Sequence, residues 1–162
     1  MRISILQAVA LVAALAAPSI AQAQDFMDSV LAAHNALRAK HGVPPLAWSD
    51  SLAKEAQAWS DKCVFEHSST SHGENLAQGS TGGYTPASFV NDWYSEISSY
   101  DFTTGESTDG NAVGHFTQVV WKSTTKVGCG FSTCGDNDLL VCNYSPAGNF
   151  AGQYLENVPP AK

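Results

Sequence analysis

Three stretches of the chain repeat apolar residues at helical spacing. Phe26, Val30, Ala33 and Leu37 step by four, three and four, which puts them on one face of a helix from about Phe26 to Lys40. Asp25 stands where an N-cap acceptor is needed, and Gly42 where the chain leaves the helix. Leu52, Ala56, Trp59 and Cys63 form a second stripe, over about Ser51 to Cys63. Between the two, "HGVPPLAW" carries two prolines that cannot continue a helix. A third helix opens at "TPASFVNDWYSEISSY", with Thr85 as cap and Pro86 at the first helical position.

Further along, the period changes to two. From Gly114 to Trp121, His115, Thr117, Val119 and Trp121 alternate with Phe116, Gln118 and Val120, which predicts a strand over His115 to Trp121. Strands over Lys126 to Phe131 and Leu139 to Tyr144 follow, and their short connections, "KSTT" and "STCGDND", suit antiparallel hairpins. A polar loop, "DFTTGESTDGNAV", separates the third helix from these strands. Helices first and an antiparallel sheet after them predict an α+β domain, its hairpins covered by helices on at least one face. No repeat, low-complexity segment or internal linker divides it.

Two residues sit badly in this pattern. His115 heads the strand face that carries Val119 and Trp121. Glu96 lies on the stripe of Phe89, Trp93 and Tyr100. Either Glu96 reaches solvent at the stripe's edge, or it is buried beside a cation, a histidine or a metal, because an unpaired buried carboxylate is costly.

The first residues, "MRISILQAVALVAALAAPSIAQAQ", place one arginine before an apolar run and small residues at "AQA". That order reads as a secretory signal peptide over residues 1–23, cleaved after Ala23. The apolar run from Ala8 to Ala17 is too short to span ~30 Å of hydrocarbon. Residues 24–162 then form one secreted, monomeric domain without stable membrane insertion. Loss of Arg2 with the leader takes the formal charge from −7 to −8. An acidic chain without a basic run lacks the means for a broad grip on nucleic acid. Four cysteines in a secreted chain favour two disulfides over zinc, since Cys129-x4-Cys134 matches zinc spacing poorly. Three pairings are open. Cys129 and Cys142 can face each other on adjacent strands, and Cys63 would then bridge to Cys134, stapling a helix to the sheet.

"GHFTQVVWKST" at 114–124 and "LLVCNYSPAGNF" at 139–150, with "HNALR" at 34–38 and "GENL" at 73–76, resemble the signatures of the CAP superfamily. This is the group of cysteine-rich secretory proteins, antigen 5 and pathogenesis-related 1 proteins. With four cysteines and no cysteine-rich tail, the chain is most similar to the secreted fungal or plant PR-1-like branch. The resemblance covers about Asp25 to Pro160. It implies a three-layer α-β-α sandwich with a central antiparallel sheet, the disulfides Cys63–Cys134 and Cys129–Cys142, and a cleft of His67, Glu74, Glu96 and His115. His72, two residues before Glu74, departs from the pattern and offers a third imidazole near the cleft.

The resemblance implies no required cofactor. His67 and His115 suit a divalent ion such as Zn²⁺, as in some relatives; the competing expectation is a hydrogen-bonded network in which each glutamate orients one histidine. Fungal relatives carry sterols and others hold fatty acids, so a sterol or fatty-acid-like lipid is the expected partner. The loop from Asp101 to Val113 would be its gate, unless Phe102 is simply tucked into the core. One alternative is a defence or virulence protein acting on a protein partner. Another is a metal-dependent hydrolase: Ser68 and Ser69 adjoin His67, but nothing resembles a nucleophile elbow, and no catalytic residue is assigned. His34 and Arg38 are expected to bond helix to loop, the four tryptophans to pack, and the "NYS" acceptor at Asn143 to stay unmodified.

Overall fold

The computed structural model describes residues 20–162. The leader predicted over residues 1–23 lies outside the described residues except for its last four, which form the first turn of helix α1 (Ile20–Lys40). Helix α2 spans Asp50–Ser60 and is capped by Ser49, whose side chain accepts from the Leu52 N–H. Helix α3 spans Pro86–Ser95; Thr85 and Ser88 close a reciprocal capping box, and Pro86 opens the helix as expected. A 3₁₀ turn, Glu96–Ser99, continues it.

The predicted strand over His115 to Trp121 is a helix instead: α4, Gly114–Val120. The alternation misled because Phe116 to Trp121 are all buried, so neither face is marked by exposure. A short apolar run of this kind carries no decisive period. The helix is tied down from outside, by Glu96 accepting the N–H groups of His115 and Phe116.

Strands β1 (Ala47–Trp48), β2 (Gly73–Ser80), β5 (Lys126–Cys134) and β6 (Asn137–Ser145) form one sheet in the order β1-β5-β6-β2. The β5–β6 and β6–β2 pairs are antiparallel, but β1 pairs with β5 in parallel. The central sheet is therefore mixed, a correction to the antiparallel expectation, caused by two residues of the proline-rich connector docking on the β5 edge. The strand β2 was not foreseen either, because "GENLAQGS" shows no clean alternation. A separate ribbon of β3 (Tyr100–Asp101) and β4 (Glu106–Ser107) lies within the polar loop.

The three layers follow from which residues each strand turns to which side. Leu140, Cys142 and Tyr144 of β6 join Val30, Phe89, Trp93, Phe116 and Val119 in the larger core, beneath α1, α3 and α4. Leu139 and Val141 meet Ala56 and Leu76 beneath α2. Buried on both faces, β6 carries a continuous apolar run from Leu139 to Cys142, flanked by the buried polar residues Asp138 and Asn143. Helix α2 sits unusually close to β5 because Gly128 and Gly130 present no side chain there; a Cβ at either would press into the backbone of Ala53 or Gln57.

Cys129 and Cys142 stand opposite each other in register and are bonded, and Cys63, just past α2 at φ 56°, is bonded to Cys134 at the end of β5. Arg38 is fully buried, donating to the carbonyls of Pro44, Val119, Trp121 and Thr124 at 2.8–3.0 Å. Burial lowers its pKa to about 10. Asn143 lies mid-strand and is 1% exposed, a poor glycan acceptor. Among the described residues no helix is long and apolar enough to cross a membrane.

Candidate functional site

Edge strand β2 and the first turn of α4 bring the two histidines and two glutamates to one end of the sheet. Glu74, early in β2, is almost covered, with 5% of its side chain exposed. It accepts from His67 Nδ1 at 2.8 Å, from the Ser68 N–H at 2.8 Å, and from the Ser68 hydroxyl. The loop that precedes β2 is thereby folded back over the sheet edge. Glu96 faces it from the end of α3 and accepts from His115 Nδ1 at 2.6 Å, as well as from the two α4 backbone N–H groups at 3.0 and 3.1 Å. A carboxylate at a helix start meets unsatisfied donors and the positive end of the helix dipole together.

The His115 ring is fixed from its other side by Trp93, stacked at 6.1 Å between centroids and 15° between planes. Trp93 in turn donates to the Leu76 carbonyl. Below, Asn75 donates to the His115 carbonyl and to the Tyr144 hydroxyl, and Tyr144 bonds His34 Nε2 at 2.8 Å. His34 Nδ1 donates to the Val30 carbonyl, so Nε2 accepts from Tyr144 and the ring is neutral. Burial lowers the His34 pKa to about 4 and raises that of Tyr144 well above its ordinary value.

His67, Glu74 and His115 border one cavity of about 200 Å³ together with Asn75 and Asn149, while Glu96 stands behind His115. A second cavity, of about 210 Å³, adjoins it between the same two imidazoles, Phe65 and Leu76. His72 is not part of either; its Nε2 pairs with Glu55 of α2 at 3.3 Å. The third imidazole expected near the cleft is therefore drawn to the other face of the sheet. Ser68 and His67 both point their hydrogen bonds at Glu74 rather than at each other, which is not the geometry of a histidine-activated nucleophile.

The donors present do not fit a resident zinc ion. Both carboxylates are committed to the hydrogen bonds above, leaving only imidazole Nε2 edges, whereas zinc sites draw three or four protein ligands. Among the described residues no group of three or more His, Cys, Asp or Glu side chains converges to hold a metal.

Comparison with known proteins supplies an independent view. The family model described as "CAP: Cysteine-rich secretory protein family" matches residues 31–144. Protein PRY2 of Saccharomyces cerevisiae is 43% identical over 143 residues, covering 84% of this chain and 42% of its own length. The pathogenesis-related protein PR-1 of Medicago truncatula is 39% identical over 138 residues, covering 82% and 80%. The chain thus spans less than half of the yeast relative and most of the plant one. Among solved structures, Schistosoma mansoni venom allergen-like protein 4 superposes with a TM-score of 0.68 at 27% identity, covering 85% of this chain and 96% of that one.

Proposed function

The chain belongs to the CAP family of cysteine-rich secretory proteins, and from that premise we propose that it is a secreted protein, released from its leader after Ala23, that binds and carries a sterol or a similar small lipid. The observation that carries this reading is a recess of about 330 Å³ beneath the Asp101–Val113 loop. It is bordered by Thr104, Gly105 and Glu106 of that loop and by Ala151, Tyr154 and Leu155 near the start of α5 (Tyr154–Asn157). Its size falls within the range of small-molecule sites. Leu155 is 57% exposed, an apolar side chain left facing water at its rim.

Behind Tyr154 stand two buried polar atoms without a hydrogen-bond partner among the described residues, the Tyr100 hydroxyl and Trp121 Nε1. The Trp121 ring meets Tyr154 edge-on at 5.4 Å. An unsatisfied buried group costs about 1–3 kcal/mol, but neither residue lines the recess, so an amphiphile's hydroxyl would meet these atoms only after Tyr154 moves aside. Phe102 is not a free gate residue. It packs edge-on against Tyr100 at 4.9 Å and Phe116 at 6.2 Å, so loop movement would pivot on it.

Saturation binding with radiolabelled cholesterol and ergosterol tests the reading. Saturable binding is expected, with Leu155→Asp weakening it at least about tenfold while leaving the circular dichroism unchanged. Absence of saturable binding by the wild-type protein would reject the function. Binding unaffected by Leu155→Asp would reject this location for it.

A further inference from the structure

The cleft between the imidazoles is divided into unlike halves. On one side of His67 and His115 the wall is Phe65 and Leu76, with Glu66 beside Phe65; on the other it is Glu74, Asn75, Ala112, Gly114 and Asn149. We propose that this cleft is a binding site for a neutral saccharide, distinct from the lipid recess and independent of it.

The chemistry of the edges selects the ligand. Each imidazole commits Nδ1 to a carboxylate, and neither Nε2 has a hydrogen-bond partner among the described residues. A neutral ring presents Nε2 as an acceptor and a protonated ring presents Nε2–H as a donor. A hydroxyl group satisfies both states, since it donates and accepts. An ammonium ion only donates, so a protonated Nε2–H repels it, and the oxygens of Glu74 and Glu96 are already used by His67, Ser68, His115 and Phe116. That leaves Glu66 at the cavity wall as its single carboxylate partner among the described residues. A phosphate or carboxylate only accepts, and it would approach Glu74, Glu96 and Glu66 in a chain of net charge −7. Neutral polyols remain.

The apolar half narrows the class further. Phe65 is 55% exposed at the cavity wall, a large ring held at the surface beside polar groups. The negative face of an aromatic ring suits the partially positive C–H bonds on the flat side of a pyranose. An acetamido sugar adds a methyl group for the space beside Leu76 and an amide N–H for a neutral Nε2.

Titration of ¹⁵N-labelled protein with chitotetraose, and separately with cellotetraose, tests the site. Saturable shifts are expected at Phe65, Leu76 and His115, with chitotetraose the tighter of the two. Phe65→Ala should weaken binding at least about tenfold and Phe65→Tyr should restore it, with native amide spectra in both. Leu155→Asp should leave it unchanged. Failure of both sugars to give saturable shifts overturns the proposal, as does wild-type affinity in Phe65→Ala. Spermine or inorganic phosphate saturating the same residues in place of the sugars also overturns it.

Discussion

Glu96 receives three hydrogen bonds, two from the α4 backbone and one from a ring, so it serves α4 and the cleft together. Glu96→Gln should therefore cost about 2 kcal/mol in urea unfolding, the scale of charge-assisted bonds lost or weakened, and displace the His115 ring signals as well. His34 gives the molecule a pH dependence. Its ring is held neutral down to about pH 4, while in the unfolded chain it takes a proton near 6.5. The unfolded state binds more protons in that window, so the contribution of His34 is complete above about pH 6.5 and is lost as pH falls toward 4. The full loss is about 3 kcal/mol, and His34→Gln should flatten the slope of stability against pH between 4.5 and 7. At this scale the sequence was partly legible. Glu96 and His115 stood out as titratable groups in apolar patterns, and their pairing explains why. His67 and Glu74 lie in polar stretches with no such contrast, and only the resemblance singled them out. Asn75, Ser68 and Trp93 carry no signal in isolation, since their roles exist only once β2, α3 and α4 meet.

Among the elements, apolar stripes were readable wherever water touches one face, but the cap expected at Asp25 is not one, because α1 starts at Ile20 and runs through it. Thr85 and Pro86 announced α3, and α1 and α2 followed their apolar spacing. The segment after Val113 failed that test because burial surrounds it, and the cap that makes it helical sits eighteen residues before Gly114 in the chain. The parallel β1 contact was also beyond reach, as two residues are too few to show a period. The glycines flanking Cys129 mark an approach of α2 to β5 that leaves no room for a methyl group. Gly128→Ala should thus lower stability by about 3 kcal/mol or more, through displacement of α2, whereas Gly110→Ala meets no atom within 4 Å and pays only for its positive φ of 80°. Thermal unfolding of the two variants side by side checks the contrast.

The whole molecule is a sheet with helices on both faces, closed by two disulfides that span 71 and 13 residues of sequence. Chain-entropy arguments give the longer loop about 4 kcal/mol and the shorter about 3. Removing Cys63 and Cys134 together should therefore cost more than a reductant-insensitive surface change, and it should free the end of α2 first. The same architecture leaves the Asp101–Val113 loop outside the main sheet, as a two-stranded ribbon roofing the recess at Tyr154. That arrangement is what makes a lipid carrier the favoured reading of this fold. Native mass spectrometry of the protein after incubation with ergosterol tests it most directly. The account predicts one ergosterol adduct per chain on the wild type, largely lost in Leu155→Asp; no adduct, or equal adducts on both proteins, would contradict it.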